Sequence, residues 1–219
     1  MVICDLVIEV TRRCNLECYH CLRGKAQNLN IPLDLIPKFL KFNDITSIGS
    51  LTLTGGEPML NVKAMNNIIK YIHNENIYVA MFYMATNGSQ WSNEFLSSLG
   101  ILFEIVNDKE QFQIKISRDQ YHYTDIDRRW NMLQGSIVTF DEHNYSNVIA
   151  EGYGFDINPE GRKPYDEEWI WGEENPLELD EGMVYINAKG NILKGCDYSY
   201  ATQNKKHFGH CLSKHLNEI

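Results

Sequence analysis

The strongest constraint on the fold is an alternation of short apolar, β-branched runs with longer stretches of helical periodicity. Residues 6–10 read as a buried strand, and residues 32–42 (PLDLIPKFLKF) space their apolar side chains as a helix does, with a proline near the start. Residues 50–54 form a short strand ending in Gly55 and Gly56, and Asn61 stands where it would cap a helix from 62 to about 73. Residues 78–85 read as a strand running into Thr86, Asn87 and Gly88, with Ser89 capping a helix to about 99. Residues 112–117 (FQIKIS) alternate as a strand, 124–134 read as a helix, and 136–140 and 147–153 as further strands. Such alternation predicts a parallel sheet with crossover helices, and five or six units fit within the first 155 residues as a full or partial barrel. Ligand sites in such sheets lie at the C-terminal ends of strands. Three of these ends carry unusual chemistry: a cysteine-rich loop, the turn Gly55, Gly56, Glu57, Pro58, and the run Ser117, Arg118, Asp119.

Cys14, Cys18 and Cys21 make a CxxxCxxC loop. Thiolates are soft ligands that select zinc, copper(I) or iron–sulfur clusters. Structural zinc normally takes four protein ligands, so a zinc site would draw on a fourth group such as His20, Cys4 or Cys196. On a cubane cluster, three cysteines leave one iron open to a small molecule. Spacing alone leaves both readings standing. The other cysteines (Cys4, Cys196, Cys211) are scattered, unlike a disulfide framework, and three clustered thiols in a reducing compartment favour metal ligation.

The two strings IEVTRRCNLECYHC and LTLTGGEPML, about thirty residues apart, together resemble the radical S-adenosylmethionine (radical SAM) superfamily. The resemblance covers residues 6–155 and implies an α/β fold, a partial (β/α)6 TIM-like barrel. It implies a [4Fe–4S] cluster on Cys14, Cys18 and Cys21, with SAM on the open iron and against Gly55, Gly56, Glu57 and Pro58. In the family, one electron cleaves SAM to methionine and a 5′-deoxyadenosyl radical, which abstracts hydrogen from a substrate. Ser117 and Asp119 match a strand end that contacts SAM in many members, and Asn87 matches the third strand end. His20 stands where the family usually has an aromatic residue beside the adenine, while Arg118, Tyr121 and His122 could face substrate. An external electron donor such as a flavodoxin or ferredoxin is implied as well.

After residue 155 the texture changes, giving a core unit 1–155 and a C-terminal extension 156–219 of acidic loop, β-hairpin and short helix. Residues 166–181 hold eight acidic residues, Trp169 and Trp171, and no Lys or Arg. This stretch reads as a solvated loop, with a lid or partner-binding loop as the alternative. Arg162 follows Gly161 in a Gly-Arg pair resembling one found in several radical SAM modifiers. The hairpin is centred on Lys189, Gly190 and Asn191, and a helix spans about 208–218. With only Cys196 and Cys211 downstream, the extension cannot build a four-cysteine auxiliary cluster, so one cluster is expected. Cys196 then reads as a buried or substrate-proximal thiol, and Cys4 and Cys211 as packing residues.

A net charge of −9 argues against broad electrostatic binding to nucleic acid or anionic membranes. No apolar run approaches the roughly 20 residues that span a bilayer, and the N-terminal stretch lacks the order of a signal peptide, so the chain reads as cytoplasmic. The substrate expected is a peptide or small molecule. The competing readings are an activator that installs a glycyl radical on a partner protein, and a non-catalytic zinc or iron–sulfur interaction module.

Overall fold

The computed structural model describes residues 1–119, 121–122, 124–141, 148–161 and 182–218. The sheet is built from β1 (Val2–Thr11), β2 (Ser47–Gly55), β3 (Tyr78–Thr86), β4 (Phe112–Ser117), β5 (Val138–Asp141), β6 (Met183–Ile186) and β7 (Ile192–Leu193). Its order is β5-β4-β3-β2-β1-β6-β7. All neighbouring pairs are parallel except the final β6–β7 hairpin. The architecture is α/β with a predominantly parallel sheet.

The long strands form because β-branched and apolar residues fill them, and in β4 buried and half-buried positions alternate along the strand. In β1, the run from Leu6 to Thr11 is buried throughout. Helix α1 (Leu35–Phe42) buries Leu35, Ile36, Phe39 and Leu40, and α2 (Val62–Asn74) buries Met65, Ile68, Ile69 and Ile72. Both sets recur at three- and four-residue spacing, which places them on one helix face. Helix α3 (Asn93–Ile105) packs beside α2.

The cap of α3 is Ser92 rather than Ser89: its Oγ accepts from Phe95 N at 3.1 Å, while the Ser89 hydroxyl donates to Asn87 Oδ1 at 2.6 Å. Ser92→Ala should therefore cost about 1 kcal/mol, lowering the melting temperature by about 2–4 °C in a calorimetric scan. Asn61 does not cap α2 with its side chain either. Its Nδ2 donates 2.7 Å to Val10 O, and a 3₁₀ turn, Pro58–Asn61, leads into the helix.

Three further expectations are corrected. Residues 124–134 form only a 3₁₀ turn, Arg128–Leu133, started by the Asp127 carboxylate accepting from Arg129 N and anchored by buried Trp130. Residues 148–153 are not a strand. They loop beneath the cysteine segment, with Gly152 at φ +57°, and lead into the short helix α4 (Gly154–Ile157). Residues 208–218 are not an α-helix. Phe208 N donates to Ile192 O at 2.9 Å and Cys211 N to Gly190 O at 2.8 Å, so the β6–β7 hairpin takes up those amides and leaves only a 3₁₀ turn, Leu216–Glu218. The hairpin itself forms around Gly190, and through β6 it joins the same sheet as β1. A short helix that the sequence did not announce, α5 (Tyr200–Gln203), packs against the cysteine loop. Arg162, Trp169, Trp171 and the acidic run lie outside the described residues. No helix among the described residues is long and apolar enough to cross a membrane.

Candidate active site

Strand β1 delivers the chain directly into the cysteine loop, which is held at both ends. Gln27 N donates to Arg12 O at 2.9 Å, and Arg12 N to Leu29 O at 2.8 Å. Tyr153 N donates 3.0 Å to Cys21 O. Cys14, Cys18 and Cys21 are free, half-buried thiols on the wall of one cavity of about 360 Å³. Burial pushes the Cys18 thiol up to about 12, and the neighbouring Cys21 and Cys14 push in the same direction. Burial raises Cys14 too, with the Glu57 and Cys21 charges adding to it. Three thiols lining one pocket could together serve as donors to one cationic centre. Loading such a centre must expel their protons, so iron uptake should speed up with rising pH.

The second strand end is packed against this loop backbone to backbone. Gly56 N donates to Thr11 O and Glu57 N to Arg13 O, both at 2.8 Å. A Cβ on Gly55 would run into Thr11 O, and one on Gly56 into Arg13 O, so only glycine permits this approach. Glu57 is 1 % exposed. Its carboxylate accepts from the Thr86 hydroxyl (2.7 Å), Asn87 N (2.8 Å) and Met59 N (2.9 Å). It thereby locks the ends of β2 and β3 together.

Burial raises the Glu57 carboxyl above the usual carboxylate range, against the pull of those three donors. A raised folded-state value means stability that is full below the unfolded carboxyl value and is lost as the pH climbs through the folded one. Glu57→Gln would set an amide N–H₂ where a donor needs an acceptor. It should cost about 1–3 kcal/mol in urea denaturation, and the gap to wild type should narrow from pH 4.5 to 7.5.

The remaining candidates divide. His20, Asn87 and Ser117 line the cavity with Gly55, Gly56 and Glu57. The Asn87 amide is held by Asn15 and Ser89. His20 stacks on buried Tyr121 at 4.3 Å between centroids. Pro58 is buried at the first position of the 3₁₀ turn and shapes the turn rather than the cavity wall. The Asp119 carboxylate turns to His122 Nδ1 (2.8 and 2.9 Å) and Tyr121 N (2.8 Å), and this holds it well within its ionised range despite burial. His122 itself lines the cavity.

Sequence reasoning missed a buried polar network under the loop. Arg12 and Glu9 are both fully buried and joined at 2.7 Å. Glu9 also accepts from Tyr185 OH (2.6 Å), Ala188 N (2.9 Å) and Gln203 Nε2 (3.1 Å). Arg12 further donates to Gln203 (2.7 Å), Gln27 and Asn204 (both 3.1 Å), and sits 4.6 Å over the Tyr200 ring. The one hint was a pair of charges, Glu9 and Arg12, inside and beside an otherwise apolar strand. Cys196 lies half-buried among Val7, Tyr185 and Tyr198, and Cys211 is fully buried in the main core.

Residues 6–116 match the protein family described as "4Fe-4S single cluster domain". That match covers more than half of the chain and includes all three loop cysteines. The chain is a member of the radical SAM superfamily. Its curated relatives include a GTP 3′,8-cyclase of Helicobacter pylori (strain HPAG1), 33 % identical over 86 residues, covering 37 % of this chain and 26 % of that protein. Putative protein YfkA of Bacillus subtilis (strain 168) is also 33 % identical over 86 residues, covering 35 % of this chain and 22 % of that one. The chain thus spans about a quarter of the length of these relatives.

Among solved structures, Streptococcus suis SuiB bound to its precursor peptide SuiA superposes with a TM-score of 0.53 at 13 % identity, covering 100 % of this chain and 64 % of SuiB. The structure of anSMEcpe with AdoMet and the Cp18Cys peptide gives 0.53 at 13 %, covering 99 % and 79 %. These two likenesses establish a shared fold. The superfamily is one of enzymes whose cofactors are a [4Fe–4S] cluster and SAM. The thiol triad and the glycine turn fit that pair.

Proposed function

We propose that Cys14, Cys18 and Cys21 hold a single [4Fe–4S] cluster and that the turn Gly55, Gly56, Glu57, Pro58 seats SAM beside it. One observation carries this reading: the three thiols and the glycine turn, from two different strand ends, open onto the same cavity. Bound there, the pair would supply radical chemistry, the abstraction of a hydrogen atom from a substrate held in the same cavity.

The chain's own residues position and exclude water. Gly55 and Gly56 bring bare backbone to the SAM site, and Glu57 fixes the turn through Thr86 and Asn87. His20, Asn87 and Ser117 line the space around the adenosine, and Asp119 acts on that wall through His122. In this reading the parallel strands curl as a partial barrel, residues 1–155 form the cofactor-binding unit, and residues 156–219 form a C-terminal extension whose strand β6 adds to β1.

The substrate class we infer is a peptide, or a small molecule presenting similar chemistry. Support comes from the shared fold with SuiB and anSMEcpe, both seen with peptides bound. The electron comes from a flavodoxin or ferredoxin in the cytoplasm, where free thiols survive.

The test is anaerobic reconstitution followed by dithionite and SAM. The expected results are about four irons per chain and 5′-deoxyadenosine by chromatography. A protein that instead binds one zinc and no iron sinks the proposal. A partner protein that acquires a stable glycyl radical in the same mixture would move the substrate from peptide to partner enzyme.

A further inference from the structure

Just past the end of β4, Asp119 and His122 close a tight turn. His122 N donates 3.2 Å to Asp119 O, and the Asp119 carboxylate accepts from Tyr121 N at 2.8 Å. The turn sets His122 Nδ1 against both carboxylate oxygens, at 2.8 and 2.9 Å. The Asp119 side chain is 1 % exposed and that of His122 16 %. His20 reaches the same place from the cysteine loop. Its ring stacks on buried Tyr121 and meets His122 edge-on, with 4.9 Å between centroids. One donor atom from each of His20, Asp119 and His122 lies within 4.8 Å of the other two.

An ion pair needs one imidazole, and here two converge on one carboxylate. Two imidazole nitrogens and one carboxylate oxygen are the donor set of mononuclear sites that keep coordination positions open. Bonds of about 2.0–2.2 Å put neighbouring ligand atoms about 3 Å apart and opposite ones about 4.2 Å apart. Asp119 and His122 already stand near the first spacing, and a small turn of the His20 ring brings in the third donor. Among the described residues no other trio of His, Cys, Asp or Glu side chains is this compact, the three loop cysteines included.

We infer that His20, Asp119 and His122 hold a divalent first-row transition ion, such as zinc or iron(II), in the cavity wall beside the cysteine loop. Imidazole suits both ions. His20 and His122 line the cavity, and three protein ligands leave positions on the ion for water or for an oxygen of a molecule bound there. The site needs only these three side chains and stands whether or not the cysteines carry a cluster.

Manganese(II) is the probe, because it has little affinity for thiolates and its electron spin reports the nitrogens bound to it. The protein is reconstituted anaerobically with iron and sulfide and kept oxidised, so that a [4Fe–4S] cluster is silent in electron paramagnetic resonance. Wild type should take up about one equivalent of manganese, and its spin-echo spectrum should show nitrogen couplings from two imidazoles. His20→Phe keeps the stack on Tyr121 and should remove one coupling, and His122→Phe should remove the other. Each of these, like Asp119→Asn, should weaken manganese binding at least about tenfold. His73→Phe, at an exposed position of α2, should change neither reading.

A wild type with no saturable manganese binding overturns the inference. So does manganese bound without nitrogen couplings, which would be adventitious at surface carboxylates, and so do couplings that persist when both His20 and His122 are replaced. Where a phenylalanine variant fails to fold, the glutamine variant takes its place, since its side-chain oxygen gives no imidazole coupling. The iron count, taken first, reports on the cysteines alone, so the two assignments fail separately.

Discussion

Cys18→Ala is expected to abolish cluster retention altogether: iron per chain falls from about four to a trace, and 5′-deoxyadenosine formation disappears with it. Cys18 is the middle ligand of the proposed triad, and burial together with the charges of Cys21 and Cys14 pushes its thiol up to about 12. It gives up its proton only against a cation, so most of its binding contribution exists only in the loaded state. Two remaining thiols cannot hold a cubane with one position left open for SAM. Cys196→Ala is the matched control. It removes a half-buried thiol that lies outside the cavity wall, and it should keep full iron content. Inductively coupled plasma analysis of both variants beside wild type decides the matter. A Cys18→Ala protein that still carries about four irons would remove Cys18 from the ligand set.

The second large effect is on stability. Arg12→Met should destabilise the fold by about 3–5 kcal/mol in urea denaturation, because it leaves the Glu9 carboxylate fully buried without its cation. The three remaining partners of Glu9, from Tyr185, Ala188 and Gln203, are neutral dipoles and cannot replace a guanidinium. The asymmetry of buried pairs supplies a sharper check. Arg12→Met combined with Glu9→Gln removes both charges and should recover a good part of the loss. If the double variant is less stable than Arg12→Met alone, the carboxylate is held by its dipoles and the ion pair is secondary.

Much of the site was legible because its parts are local. A strand that must end before CxxxCxxC, and another before two glycines, leave little freedom over where the loop and turn sit. The observed strands extend the expected ones by a few residues at most around those points. The failures came where tertiary pairing overrode local pattern. Residues 148–153 alternate well enough to suggest a strand, yet Gly152 sits so close to Leu22 O that the segment serves as a floor for the cysteine loop. Residues 208–218 have helical spacing, but the hairpin of β6 and β7 takes their amides first. The Glu9–Arg12 network was invisible because its partners stand about 190 residues away, and no local periodicity reports such a distance.

That separation governs how the protein is made. Contacts such as Arg12–Gln203 and Glu9–Tyr185 close loops spanning most of the polypeptide, and β6 cannot add to β1 until residues 183–186 exist. Long-range closure of this kind slows folding, and synthesis proceeds from the other end. A nascent chain therefore exposes its three thiols, and the bare edge of β1, until residues 183–203 have been synthesised. Metal delivered in that interval meets an unfinished cradle. Faithful loading belongs after β6 and Gln203 have joined β1, and in a heterologous host the rate of translation relative to iron–sulfur supply should govern how much correctly filled protein is recovered.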